Sequence, residues 1–144
     1  MALFVVSHES SRDVAQVWSR VTDWAAHAPY VPLTTIQVTT PGPNRVGSVF
    51  VAHTGIGRAG FDDPMEVTEW QPPAGSTGGR CRLEKRGRVV RGWAEITVEP
   101  SEQGSRAVWR EDISVAHLPR VADRPIGLSS RRLFERVLRG LIEA

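Results

Sequence analysis

The chain has 144 residues, 40% hydrophobic and 24% charged, with a formal net charge of +2. That length supports one domain (1–144) with a real core, since folding at this size buries roughly 68–70% of the surface an unfolded chain exposes. The composition excludes intrinsic disorder and a membrane-embedded class, and basic residues scattered among acids argue against a nucleic-acid partner.

The opening "MALFVVSHES" has neither a basic leader nor a small-residue cleavage site, so no secretory signal is read. No apolar run approaches the roughly 18 residues of a membrane span, and the lone Cys81 can form no intramolecular disulfide. The expectation is a soluble, cytoplasmic protein without stable membrane anchoring. Leu3–Ser7 reads as a strand. Ser10 or Ser11 is then placed to cap a helix whose Val14, Val17, Trp18 and Val21 recur at helical spacing. "TDWAAHAPYVP" predicts a short helical piece capped by Thr22 or Asp23 and ending at Ala28, before two prolines.

From Thr34 the chain is β-rich. Strands are predicted at Thr34–Thr40, Val46–His53, Met65–Gln71, Arg80–Arg86, Val89–Glu99 and Arg106–Val115, joined by "PGPN", the glycine loop "TGIGRAG", "PPAGSTGG", Gly87 and "PSEQG". Short turns in series imply an antiparallel meander. Asp123 and Pro125 lead into a terminal helix with Leu133, Phe134, Val137, Leu138, Leu141 and Ile142 on one face and Arg131, Arg132, Arg136 and Arg139 on the other. The apolar face needs a sheet to lie on, and a curled sheet leaves a gap beneath the helix as a pocket.

Several groups carry potential chemistry. In "GFDDPMEVTEW", strand alternation puts Glu66 on a side with Trp70 and Glu69 on the other with Met65 and Val67, so the acids do not converge. The segment "DDP" reads as a turn and strand start, and the acids of this strand as cross-strand partners for the basic run Arg80–Arg91. His8, His27, His53 and His117 have no zinc spacing and read as surface or core residues. His53, before the glycine loop, is the one candidate general base among them. The glycines of "TGIGRAG" would allow that loop to act as a lid. Arg80 and Arg82 could lower the pKa of Cys81, but no base stands beside it in sequence. Only one of the 18 basic residues, Lys85, is a lysine, which reads as a compositional habit.

The tryptophans say more. Trp93 and Trp109 stand in late strands with Glu95 and Glu111 two residues beyond, each acid on the face of its tryptophan. If that face looks inward, the pocket has aromatic walls and buried carboxylates, with Arg91 an available partner. If the other does, Ala94, Ile96 and Val98 make a plain apolar wall. The strand pattern alone leaves this phase open.

The order of elements, with "VAQVWSRVTDWAAHAPYVP", "FDDPMEVTEWQPP", "GWAEITVEP" and "AVWRED", resembles the START-like, or SRPBCC, superfamily of polyketide cyclases and lipid-transfer proteins over Leu3–Ile142. The resemblance implies an α+β helix-grip fold: a curved seven-stranded antiparallel sheet around a long C-terminal helix, with two short helices after the first strand. It also implies an apolar cavity between sheet and helix, with Trp24 and Tyr30 near its mouth. The superfamily has no catalytic motif common to its enzymes and binders, so no catalytic residue is carried over. Trp24, Tyr30, His53, Arg91, Trp93, Glu95, Trp109, Glu111, Phe134 and Leu138 are the expected ligand-binding residues, with no metal and no cofactor. The expected function is binding or transport of a small hydrophobic ligand, lipid-like or aromatic, by a monomer or homodimer. A cyclase or dehydratase using a cavity acid-base pair and a protein-interaction module without a small-molecule ligand are the alternatives.

Overall fold

The computed structural model describes residues 2–56, 58–116 and 123–144, at 123, 124 and 126 by backbone alone; His117 lies outside them. The elements are β1 (Ala2–Ser10), α1 (Val14–Val21), a 3₁₀ helix (Trp24–Tyr30), β2 (Thr34–Val38), β3 (Val49–Ile56), β4 (Ala59–Gln71), β5 (Gly79–Arg86), β6 (Val90–Ser101), β7 (Gly104–Val115) and α2 (Asp123–Glu143). Among the described residues the seven strands form one sheet in the order β1-β7-β6-β5-β4-β3-β2, antiparallel throughout. The strands β2 to β7 make the expected meander, and β1 closes the far edge beside β7. The curled sheet grips α2, which is the helix-grip architecture.

Helix α1 is capped by Asp13, not Ser10 or Ser11. Asp13 Oδ1 accepts from Gln16 N at 2.8 Å and Gln16 Oε1 accepts from Asp13 N at 3.4 Å, a reciprocal capping box. The serine prediction fails because β1 continues to Ser10, which pairs with Ser105. The second helical piece runs past Ala28 to Tyr30 with Pro29 inside it. A fixed proline φ is compatible with so short a 3₁₀ segment.

Two predicted irregular stretches belong to strands. "TGIGRAG" is mostly ladder: Gly55 pairs with Gly60 and Ile56 with Ala59. A Cβ on Gly55 would lie 2.3 Å from the Ala59 carbonyl oxygen, so glycine here allows close approach of two backbones and not the swing of a lid. "DDP" likewise lies inside β4, where Pro64 pairs with Val51. The β5 ladder begins only at Met65, so the missing proline N–H falls on a side of the strand that β5 does not reach.

A bulge between Val67 and Glu69 overturns the expected alternation of β4. Val67 is fully buried opposite Leu83, and Trp70, opposite Cys81, packs against Trp18 with ring centroids 5.1 Å apart. Met65, Val67 and Trp70 therefore share the inner face, and Glu66 and Glu69 the outer one.

Leu83, Ile96, Val98, Leu138 and Ile142 are fully buried between sheet and α2. Each such side chain contributes about 1.5–3 kcal/mol relative to exposure. Arg131, Arg132, Arg136 and Arg139 are exposed on the far side of α2, as the helical spacing predicts. Two other arginines bind α2 at its end: Arg12 Nε donates to the Ile142 carbonyl at 2.8 Å and Arg20 Nη1 to that of Ala144 at 2.6 Å. They satisfy carbonyls that no further helical turn can, and oppose the negative end of the helix dipole.

Candidate functional site

The inner face of the sheet, the 3₁₀ helix and α2 enclose a cavity of ≈ 110 Å³. Its lid side is aromatic. Trp24 stacks on Phe50 at 4.8 Å, the His27 ring lies 5.4 Å from Trp109, and Trp109 lies 5.0 Å from Phe134 of α2. Ile36, Ala52, Met65 and Leu83 supply the aliphatic wall.

The opposite end is polar and charged. Lys85 Nζ donates to Asp63 Oδ2 at 2.8 Å, stands 3.4 Å from Glu111 Oε1 and meets Met65 Sδ at 3.6 Å. The three charged groups come from β4, β5 and β7, strands that bring them together only through the register of the sheet. The Lys85 and Glu111 side chains are 7% and 3% exposed, so water contributes little. Burial alone would depress the Lys85 pKa, but the negative charges of Glu111 and Asp63 outweigh it and hold it above the ordinary lysine value. Burial raises the Glu111 pKa, more than Lys85 lowers it, and neighbouring Asp63 adds to the rise.

Two polar atoms at this site are buried without a hydrogen-bond partner: Asp63 Oδ1 and Trp109 Nε1. The indole N–H is outside hydrogen-bond geometry but still favours the ionised form of Glu111. His27 has its Nε2 2.8 Å from the Val21 carbonyl, which requires the N–H on Nε2 and leaves Nδ1 as an acceptor. Burial pulls its pKa down to about 4, so the ring is neutral at neutral pH.

Of the residues singled out in the sequence, the cavity gathers Trp24, Trp109, Glu111 and Phe134. Tyr30 lies outside its lining: the hydroxyl donates to the Gly140 carbonyl at 3.1 Å, and its ring would clash with any side chain at 140. Leu138 is fully buried in the core beside the cavity. Four others are on the outer face of the sheet. His53 is half-exposed and bonded to Asp62 at 2.7 Å, because Ala52 and Thr54 take the inward positions. Arg91 is exposed, Trp93 lies under the Arg82 guanidinium at 4.5 Å, and Glu95 accepts from Arg80 Nη2 at 2.9 Å. Arg80 also bridges to Glu69, and with Asp63–Lys85 this realises the expected pairing of acidic and basic strands.

Sequence reasoning missed His27, Asp63 and Lys85. The usable signal was the single lysine: in a chain that otherwise uses arginine, a compact ammonium stands where it fits between two carboxylates. Cys81 is an inert core residue; burial pushes its thiol up to about 12, beyond what Arg80 offsets. Among the described residues no group of three or more histidines, cysteines or acids is placed to hold a metal ion. No helix among them is long and apolar enough to cross a membrane.

A curved antiparallel sheet gripping a C-terminal helix over an enclosed, largely apolar cavity defines a START-like protein. The chain belongs to the polyketide cyclase / dehydrase and lipid transport family, which matches residues 1–144. No curated protein matches its sequence. A START superfamily protein from Mycobacterium smegmatis is similar in fold, with a TM-score of 0.74 at 12% identity over 99% of this chain and 98% of that one. A protein of Thermus thermophilus gives 0.72 at 14%, covering 98% and 94%. The Zhui aromatase/cyclase from Streptomyces sp. R1128 gives 0.54 at 15%, covering 96% and 86%. At such identities the likeness carries the fold and not the chemistry.

Proposed function

We propose that this chain binds a small, mostly apolar ligand, aromatic or lipid-like, between the sheet and α2. The observation that carries the reading is the enclosed cavity itself, aromatic on one side and furnished on the other with unpartnered Asp63 Oδ1 and Trp109 Nε1. Apolar walls supply affinity and a few convergent polar groups supply orientation. The volume is below the roughly 300–1,000 Å³ of sites for drug-sized ligands. A compact ligand therefore fits as the cavity stands, and a longer one requires the Trp24–Tyr30 segment to move away from α2. Native mass spectrometry of the purified protein, followed by denaturing extraction, tests the proposal. A stoichiometric apolar compound supports it; a folded protein that arrives empty and takes up no aromatic or lipid-like compound from a panel sinks it.

A second reading, a cyclase or dehydratase, is favoured by one specific feature. Neutral His27 and Glu111, whose pKa burial raises, share the cavity and offer a proton acceptor and a proton donor. In that case Glu111→Gln retains ligand binding but abolishes turnover of the extracted compound. Unchanged turnover removes Glu111 from any mechanism.

A further inference from the structure

The polar end of the cavity is built around acids. Asp63 and Glu111 flank the one ammonium of Lys85, burial pushing Glu111 toward its protonated form, while His27, the other titratable group on the described wall, is neutral. Lys85 donates to Asp63 Oδ2 and Met65 Sδ and stands 3.4 Å from Glu111 Oε1. An incoming anion would have to compete with two acids for it. The site instead lacks a donor for Asp63 Oδ1 and an acceptor for Trp109 Nε1, both buried and unpartnered. Trp109 is 4% exposed, and Asp63 9%. An added carboxylate would be desolvated beside Asp63, whose repulsion the protein screens less than water does. An uncharged hydroxyl would bring a donor and an acceptor at once.

We infer that the cavity selects by charge: it accepts an uncharged, ring-sized molecule bearing a hydroxyl and turns away the matching carboxylate, with Asp63 as the specificity-determining residue. The inference rests on the ligand-cavity reading above. Size limits the ligand to a single ring, since an apolar cavity of roughly 150 Å³ holds one benzene and this one, between Trp24, Phe50, Trp109 and Phe134, is smaller at ≈ 110 Å³. The ring lies against the aromatic wall, its hydroxyl hydrogen donated to Asp63 Oδ1. Trp109 Nε1 donates to an oxygen of the ligand. Discrimination of this kind uses repulsion as much as attraction.

Three single-ring probes test it: phenol, benzoate and benzene, titrated at neutral pH and followed by the methyl NMR signal of Met65 on the cavity wall. Benzamide, the uncharged match in size to benzoate, separates charge from size, and its failure to bind beside benzoate overturns the inference. Phenol is expected to bind about tenfold or more tighter than benzene, the scale of one hydrogen bond to a buried charge, and benzoate not to bind over the same range. Benzoate binding as well as phenol, or benzene as well as phenol, overturns the inference while leaving a ligand cavity in place. A folded protein in which none of the three moves the signal overturns both. Asp63→Asn is expected to narrow the preference for phenol over benzoate about tenfold, and an unchanged preference removes Asp63 from the role. Because that variant also weakens the hold on Lys85, Trp109→Phe serves beside it. It keeps Asp63 and is expected to lose phenol affinity while preserving the preference; loss of the preference there overturns the assignment to Asp63.

Discussion

Trp93-Ala94-Glu95 on β6 and Trp109-Arg110-Glu111 on β7 have the same spacing on neighbouring strands and point in opposite directions. The ladder aligns Trp93 with Asp112 and Ala94 with Glu111, an offset of one residue. One triplet thus presents its tryptophan and acid to the cavity and the other to the outer surface. On the outside, Glu95 meets Arg80, Trp93 meets Arg82, and water screens both. On the inside, Glu111 shares Lys85 with Asp63, all three largely buried. The same tryptophan-to-acid spacing in sequence becomes a surface lattice in one case and a candidate recognition site in the other.

The comparison can be broken most decisively at its charges. Lys85→Met leaves two buried carboxylates without their cation and is expected to cost about 3–5 kcal/mol, whereas Arg80→Met on the outer face costs at most about 1 kcal/mol. Chemical denaturation of the two variants checks this, and equal losses would dissolve the distinction between the faces. The tryptophans should divide in the same way. Trp109→Ala is expected to lose about 3–5 kcal/mol through the cavity it leaves, and half-buried Trp93→Ala less, the roughly 0.5–1 kcal/mol of its cation–π contact with Arg82 together with the apolar area it covers.

A pH titration of stability sharpens the picture. His27 is held at about 4 in the fold against an ordinary 6.5, so the unfolded chain binds the proton more readily between those values. Stability from this residue is complete above pH 6.5 and falls as pH drops toward 4, by about 3 kcal/mol in all. His27→Asn should flatten that slope. Glu111 acts with the opposite sign: its pKa is raised, so its contribution is complete below the unfolded carboxylate value and is lost as pH rises through the folded one. Smallest of all, Glu95→Gln should change stability by a few tenths of a kcal/mol, an effect that added salt erases.

Much of the fold was legible because its signals are local. Val14, Val17, Trp18 and Val21 mark α1, the apolar stripe of α2 carries Leu138 and Ile142, and turns at "PPAGSTGG" and Gly87 separate strands that pair as a meander. The glycines of "TGIGRAG" misled because glycine marks close backbone approach as well as free loops. The bulge at Thr68 leaves no signature in an alternation pattern, yet it moves Trp70 inward and Glu69 outward. The site was half-legible: Trp109, Glu111, Trp24 and Phe134 carry large apolar area or an acid in a strand, whereas His27, Asp63 and Lys85 look like ordinary surface residues until their neighbours are known.

The amino-acid sequence by itself determined the helices, most of the strands and their order, because helical and strand periodicity and turn chemistry act over a few residues, and its resemblance to START-like proteins implied the helix-grip architecture. Only the tertiary structure decided which face of each strand looks inward and which charges meet. Inter-strand register is set by pairing between segments up to about a hundred residues apart, as Phe4 and Glu111 are. A shift of one residue there would exchange the face that holds Glu111 with the face that holds Arg110.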